Sequence, residues 1–98
     1  MEIIKTQDNQ KLTLALRGRL DTNTSPKLEA ELKRSLSGIT ELEFDFSEVE
    51  YVSSAGLRVL LAAQKVMKRQ GTMVLRGVSD AVMEVFEITG FVDILTIV

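Results

Sequence analysis

Residues 41–77 read ELEFDFSEVEYVSSAGLRVLLAAQKVMKRQGTMVLRG, and three patterns follow one another within them. Over 41–46, Leu42, Phe44 and Phe46 alternate with Glu41, Glu43 and Asp45, the period-two signature of a half-buried strand. SEVEYVSS (47–54) reads as a short loop. From about residue 54 to residue 70 the spacing becomes helical. Arg58, Ala62, Lys65 and Arg69 recur at i, i+4, i+7 and i+11 as a polar stripe, while Leu57, Leu60, Leu61 and Met67 face elsewhere. Gly71 ends this helix, and TMVLRG predicts another strand. A strand–helix–strand unit of this kind joins parallel neighbours through a right-handed crossover.

The flanks extend the alternation. EIIKT and KLTLALRG predict two strands, with Leu12, Leu14 and Leu16 on the buried face of the second and DNQ supplying the turn of a hairpin. GRLDTNTSP (18–26) reads as a loop that ends in a helix start, with Ser25 as N-cap and Pro26 at the first helical position. Leu28, Leu32 and Leu36 then mark one face of a helix that stops by Gly38. Near the C-terminus Ser79 caps DAVMEVFEIT, Gly90 closes it, and VDILTIV predicts a last strand. The expectation is an α/β fold, one domain over 1–98, with a mixed sheet in the order ββαβαβαβ.

Composition narrows the chemistry. The 98 residues are 45% hydrophobic and 27% charged, with a net charge of -2, which argues against a nucleic-acid footprint. Without cysteine there can be no disulfide, thiolate nucleophile or Cys-bound metal. Without histidine the commonest metal ligand and general base are missing too. No cofactor is expected. MEIIKTQDNQ lacks the basic start and apolar run of a signal peptide, and no apolar run nears the roughly 20 residues that span a bilayer. A cytoplasmic chain without membrane contact is expected. The basic residues Arg58, Lys65 and Arg69 read as a solvated helix face.

Ser53 and Ser54 stand where the long helix begins, and two readings fit them. A hydroxyl there caps the free N–H groups of the first turn. The same N–H groups and partial positive charge also tolerate an added phosphate, which brings about -1.5 to -2 charge at pH 7. Gly56 lets the helix approach a neighbouring strand closely. A serine hydrolase built on Ser54 is excluded: the usual base is absent, Lys65 lies three turns along the helix, and SSAG lacks the first glycine of Gly-x-Ser-x-Gly.

Four stretches together carry a family resemblance. They are GRLDTNTSPKL, LEFDFSEVEYVSSAGLRVLL, GTMVLRGVS and VFEITGF, in that order. The chain resembles the bacterial anti-sigma factor antagonists of the STAS domain family. In that family the central stretch reads Asp-Ser-Ser/Thr/Ala-Gly-Leu, so aligning on Gly56-Leu57 makes Ser54 the phosphate acceptor and puts Ser53 where the family has Asp. Ser53 thus offers a neutral hydroxyl in place of a carboxylate, and stands as an alternative acceptor. Asp21, matching the aspartate of Gly-x-Leu-Asp, becomes the nearest expected acid, with a turn as its plain structural role.

The resemblance implies a regulatory binding protein rather than an enzyme. Its unphosphorylated form would bind an anti-sigma serine kinase and free a sigma factor; phosphorylation of Ser54 would release it, and a serine phosphatase would reset it. ATP and Mg²⁺ would belong to the kinase. The expected contact surface comprises Asp21, Thr22, Asn23 and Thr24, then Ser53, Ser54, Gly56 and Arg58, with residues 47–54 beside them. The alternative is a STAS scaffold subunit of a transport or signalling complex.

Overall fold

The computed structural model describes all 98 residues. The hairpin strands are β1 (Glu2–Asp8) and β2 (Lys11–Leu20), and then come α1 (Ser25–Ser35), β3 (Glu41–Val52), α2 (Ser54–Gln70), β4 (Thr72–Arg76) and α3 (Asp80–Thr89). The sheet order is β1-β2-β3-β4, with β1 antiparallel to β2 and the other two pairs parallel. This is the expected mixed α/β arrangement.

One face of the sheet supplies Leu12, Leu14, Leu16, Leu42, Phe44 and Phe46, all at most 1% exposed. The helices cover it with Leu28 and Leu32 from α1, Leu60 and Met67 from α2, and Phe86 from α3, in one cluster of 23 buried residues. Phe46 lies between the rings of Phe44 and Phe86, at centroid distances of 6.0 and 6.3 Å. Opposite-face residues carry charge: Arg76 Nε donates to Glu43 Oε1 at 2.9 Å, and Lys11 stands 3.9 Å from the same carboxylate. No helix is long and apolar enough to cross a membrane.

Three expected boundaries move. First, the loop predicted over 47–54 is mostly strand, because β3 runs on to Val52 beside a β2 that continues through Leu20. The reason is a pair of register shifts. Ala15 pairs Asp45 but Arg17 pairs Glu48, and Gly18 pairs Val49 but Arg19 pairs Tyr51, so β3 holds two extra residues. Each bulge breaks the period of two, and the buried positions become Phe46, Val49 and Val52.

Second, Ser25 is not the N-cap of α1. Thr24 holds that position without a side-chain cap bond, Pro26 sits in the first turn as expected, and Ser25 is buried with its Oγ donating to the Asp21 carbonyl. Third, the last strand contracts to one parallel bridge between Leu75 and Ile97. Phe91–Asp93 forms a 3₁₀ turn instead, which delivers Leu95 into the core. The other helix ends fall as the sequence predicts: Ser79 Oγ accepts from Val82 N–H, and Gly90 closes α3 at φ 80°, a left-handed conformation natural to glycine.

Candidate functional site

The carboxyl ends of β2 and β3 meet the start of α2. In parallel sheets this edge is where loops and helix N-termini converge. Ser53 N–H donates to the Leu20 carbonyl at 2.9 Å, tying the start of α2 to the end of β2. Gly56 completes the tie. A Cβ on it would stand 2.7 Å from Leu20 Cγ and 2.9 Å from the Leu20 carbonyl oxygen. Gly56, expected among the contact residues, is therefore buried, and it sets the distance between α2 and β2 instead of lining the surface.

The two serines differ in geometry. Ser53 is the N-cap, in extended backbone geometry, and its Oγ accepts from Gly56 N–H at 3.3 Å. Ser54 is the first helical residue and is exposed. Its Oγ makes no hydrogen bond within the chain. One serine is committed to the helix, and the other presents a free hydroxyl.

The 21–24 loop beside them is a rigid turn. Asp21 Oδ1 accepts from the N–H groups of Asn23 (3.0 Å) and Thr24 (3.1 Å), and Thr24 Oγ1 donates to the Arg19 carbonyl at 2.6 Å while accepting from Asp21 N–H at 2.9 Å. The Thr24 N–H bond chiefly, with that of Asn23 N–H and the nearby Arg19 guanidinium, holds the Asp21 carboxyl below its usual range against an opposing effect of desolvation. Asp21 is thus a built-in carboxylate of an Asx-type turn. Thr22 and Asn23 are exposed at the tip.

Arg19 was not foreseen as part of this edge, and Tyr51 was expected only as one residue of the 47–54 segment. The Arg19 guanidinium lies 4.3 Å from the Tyr51 ring centroid and 3.7 Å from Asp21 Oδ2, so one cation braces the turn against the bulged end of β3. The signal in the sequence was the chain's lone tyrosine, two residues before the serine pair. A shallow groove separates the starts of α1 and α2, lined by Thr22, Ser25, Pro26, Glu29, Ala55 and Arg58. Arg58 is exposed one turn below Ser54 and forms no ion pair. The site can therefore present a hydroxyl, a rigid turn and a free cation to another protein. No general base stands against Ser54.

Known proteins resemble this chain in sequence and in fold. Residues 4–96 match the sequence model of the family described as Mlab, STAS domain. The chain is 38% identical over 97 residues to the anti-sigma-B factor antagonist of Listeria monocytogenes, covering 96% of this chain and 84% of that protein. Among solved structures, an anti-sigma factor antagonist from Mycobacterium paratuberculosis superposes with a TM-score of 0.87 at 20% identity, over 98% of this chain and 83% of that one. The anti-sigma factor antagonist SpoIIAA matches in its unphosphorylated form with a TM-score of 0.78 at 15% identity, over 99% of this chain and 87% of that one. Its phosphorylated form matches with a TM-score of 0.77 at 16% identity, over 99% and 91%. At such identities the structural matches speak for the fold.

Proposed function

The chain belongs to the STAS domain family, and we propose that within it this protein is an anti-sigma factor antagonist switched by phosphorylation of Ser54. In the unphosphorylated state it binds an anti-sigma factor of the serine-kinase type and so frees a sigma factor. The kinase, holding ATP and Mg²⁺, transfers the γ-phosphoryl group to Ser54 Oγ: the bond from the γ-phosphorus to the bridging oxygen breaks, ADP leaves, the hydroxyl proton is lost and the antagonist is released. A serine phosphatase hydrolyses the ester and restores the binding form. The name carried by the Listeria relative supports this reading over a transport or scaffold subunit.

The observation that carries the assignment is the division of labour between the serines. The Ser53 hydroxyl is engaged as a cap, whereas Ser54 Oγ is exposed and unbonded at the first helical position. A phosphate there meets the positive end of α2 and lies one turn from Arg58, so the fold accommodates it. Charge at the helix N-terminus stabilises by about 0.3–1 kcal/mol, whereas an unpaired charge buried at a protein interface costs about 2–5 kcal/mol. The switch therefore acts on the complex, not on the fold.

The test is incubation with the kinase and ATP, followed by intact-mass and fragment-ion mapping. One phosphate per chain is expected, on Ser54; Ser53→Ala still accepts it and Ser54→Ala does not. A phosphate on Ser53, or a Ser54→Ala chain that takes a full phosphate, contradicts the assignment.

A further inference from the structure

The cations of this protein are distributed unevenly. Of the twelve Lys and Arg residues, those outside α2 stand within 4.0 Å of a carboxylate, except Lys27, whose ammonium donates to the Met1 carbonyl. Arg58, Lys65, Lys68 and Arg69 have no such partner, and α2 contains no acidic residue to provide one. All four are exposed. At 3.6 residues per turn, Ser54, Arg58, Lys65 and Arg69 fall within about 60° of arc, and the stripe runs roughly 22 Å from Ser54 to Arg69. Ser54 heads the stripe.

We infer that this stripe is the steering and docking surface for an acidic face of the protein partner, and that the phosphate on Ser54, besides its cost when buried in the interface, neutralises the head of the stripe. The inference rests on the proposed phosphorylation switch and extends its contact surface along the whole of α2. A phosphate of about -1.5 to -2 at one end more than offsets the single positive charge of Arg58. Arg58 lies about 6 Å from Ser54 along the axis, inside the Debye length of about 8 Å at physiological salt, whereas Lys65, Lys68 and Arg69 lie roughly 16–23 Å away and keep their pull on the partner.

Two observations favour a protein surface over a polyanion. The stripe is flanked by apolar side chains, since a groove beside Lys65 and Lys68 is lined by Leu61 and by Ile94, which is 44% exposed. Asp93 lines the same groove, and α3 adds the exposed acids Asp80, Glu84 and Glu87. A nucleic-acid backbone, with phosphates repeating along its length, finds neither apolar purchase nor freedom from those carboxylates. A protein patch with an apolar centre and acids confined to the side facing α2 suits the apolar flank and leaves the carboxylates of α3 uncontacted.

The decisive measurement is the association rate with each serine-kinase anti-sigma factor of the source genome, purified in turn, from 50 to 500 mM NaCl. The variant Lys65→Gln/Lys68→Gln/Arg69→Gln retains good helix formers and leaves Ser54 untouched. Its association rate is expected to fall on the order of tenfold at low salt, with a flatter salt dependence, while dissociation changes little. The control Lys5→Gln/Lys11→Gln/Arg76→Gln removes the same charge away from α2 and is expected to associate at the parent's rate. Melting curves establish that both variants fold. Equal rates and salt slopes for the parent and the α2 variant overturn the inference while leaving the phosphorylation switch standing. So does tighter, salt-sensitive binding of duplex DNA by the parent than by the α2 variant. Absence of binding to any such kinase by the parent overturns the switch itself and this inference with it.

Discussion

Ser53 and Ser54 are adjacent and chemically identical, yet the backbone gives them different work. Ser53 sits in extended geometry, where its Oγ can turn back to Gly56 N–H; Ser54 has entered the helix and cannot. Ser53→Ala removes the cap and should lower stability by about 0.5–1 kcal/mol, at the low end for caps because the bond is 3.3 Å long. A thermal melt should register this as a fall of roughly 2–8 °C for a domain of this size. An unchanged midpoint would show that the cap contributes nothing. The serine pair was legible in the sequence as a helix start, but its division of roles was not. Capping depends on the φ and ψ of each residue, and two consecutive serines offer the same side chain to both positions. Asp21 was half legible for a similar reason: its turn role follows from residue type, whereas its bracing by Arg19 depends on a bulge in a distant strand.

The elements that the sequence predicted best are those with unbroken periods. Leu12, Leu14 and Leu16 alternate without interruption, as do Leu42, Phe44 and Phe46, and both runs are buried as read. Beyond Phe46 the period fails, because two bulges move the buried positions to every third residue. That is why half of β3 reads as loop. The C-terminal segment misleads in the opposite direction: VDILTIV has strand composition, but its first residues wind into the 3₁₀ turn and only Ile97 bridges β4. At the other end of α2, Gly71 is required by proximity. A Cβ there would stand 1.8 Å from the Thr40 carbonyl oxygen, and that carbonyl accepts the Thr72 N–H where β4 begins. Gly71→Ala must move backbone, and should cost on the order of 3 kcal/mol, the upper range for overpacking. Chemical denaturation should show it as a lower midpoint at unchanged slope. A loss below about 0.5 kcal/mol would mean that the contact relaxes freely.

At the scale of the whole molecule, a layered fold keeps its core on one side of the sheet and gathers the candidate site at one end. The β2–β3 edge, the start of α2 and the unpaired cations of α2 share a continuous surface, with Ser54 at their meeting point. The net charge of -2 makes a single phosphate nearly double the charge of the chain. Fold class and element order up to α3 were readable from residue patterns, and the family motif around Gly56-Leu57 named the proposed acceptor. The concentration of free charge on α2 was not, because it depends on which carboxylates the fold brings to the other cations. Titration of Ser54→Ala and Ser54→Asp against the anti-sigma kinase tests the central claim most directly. Both variants should melt near the parent, since a carboxylate suits the helix N-terminus. The Ala variant should bind like the parent, and the Asp variant should bind about 30- to 1000-fold more weakly, equivalent to about 2–4 kcal/mol for an unpaired interfacial charge. Equal affinity for the two would contradict the account and reduce Ser54 to a residue of the first helical turn.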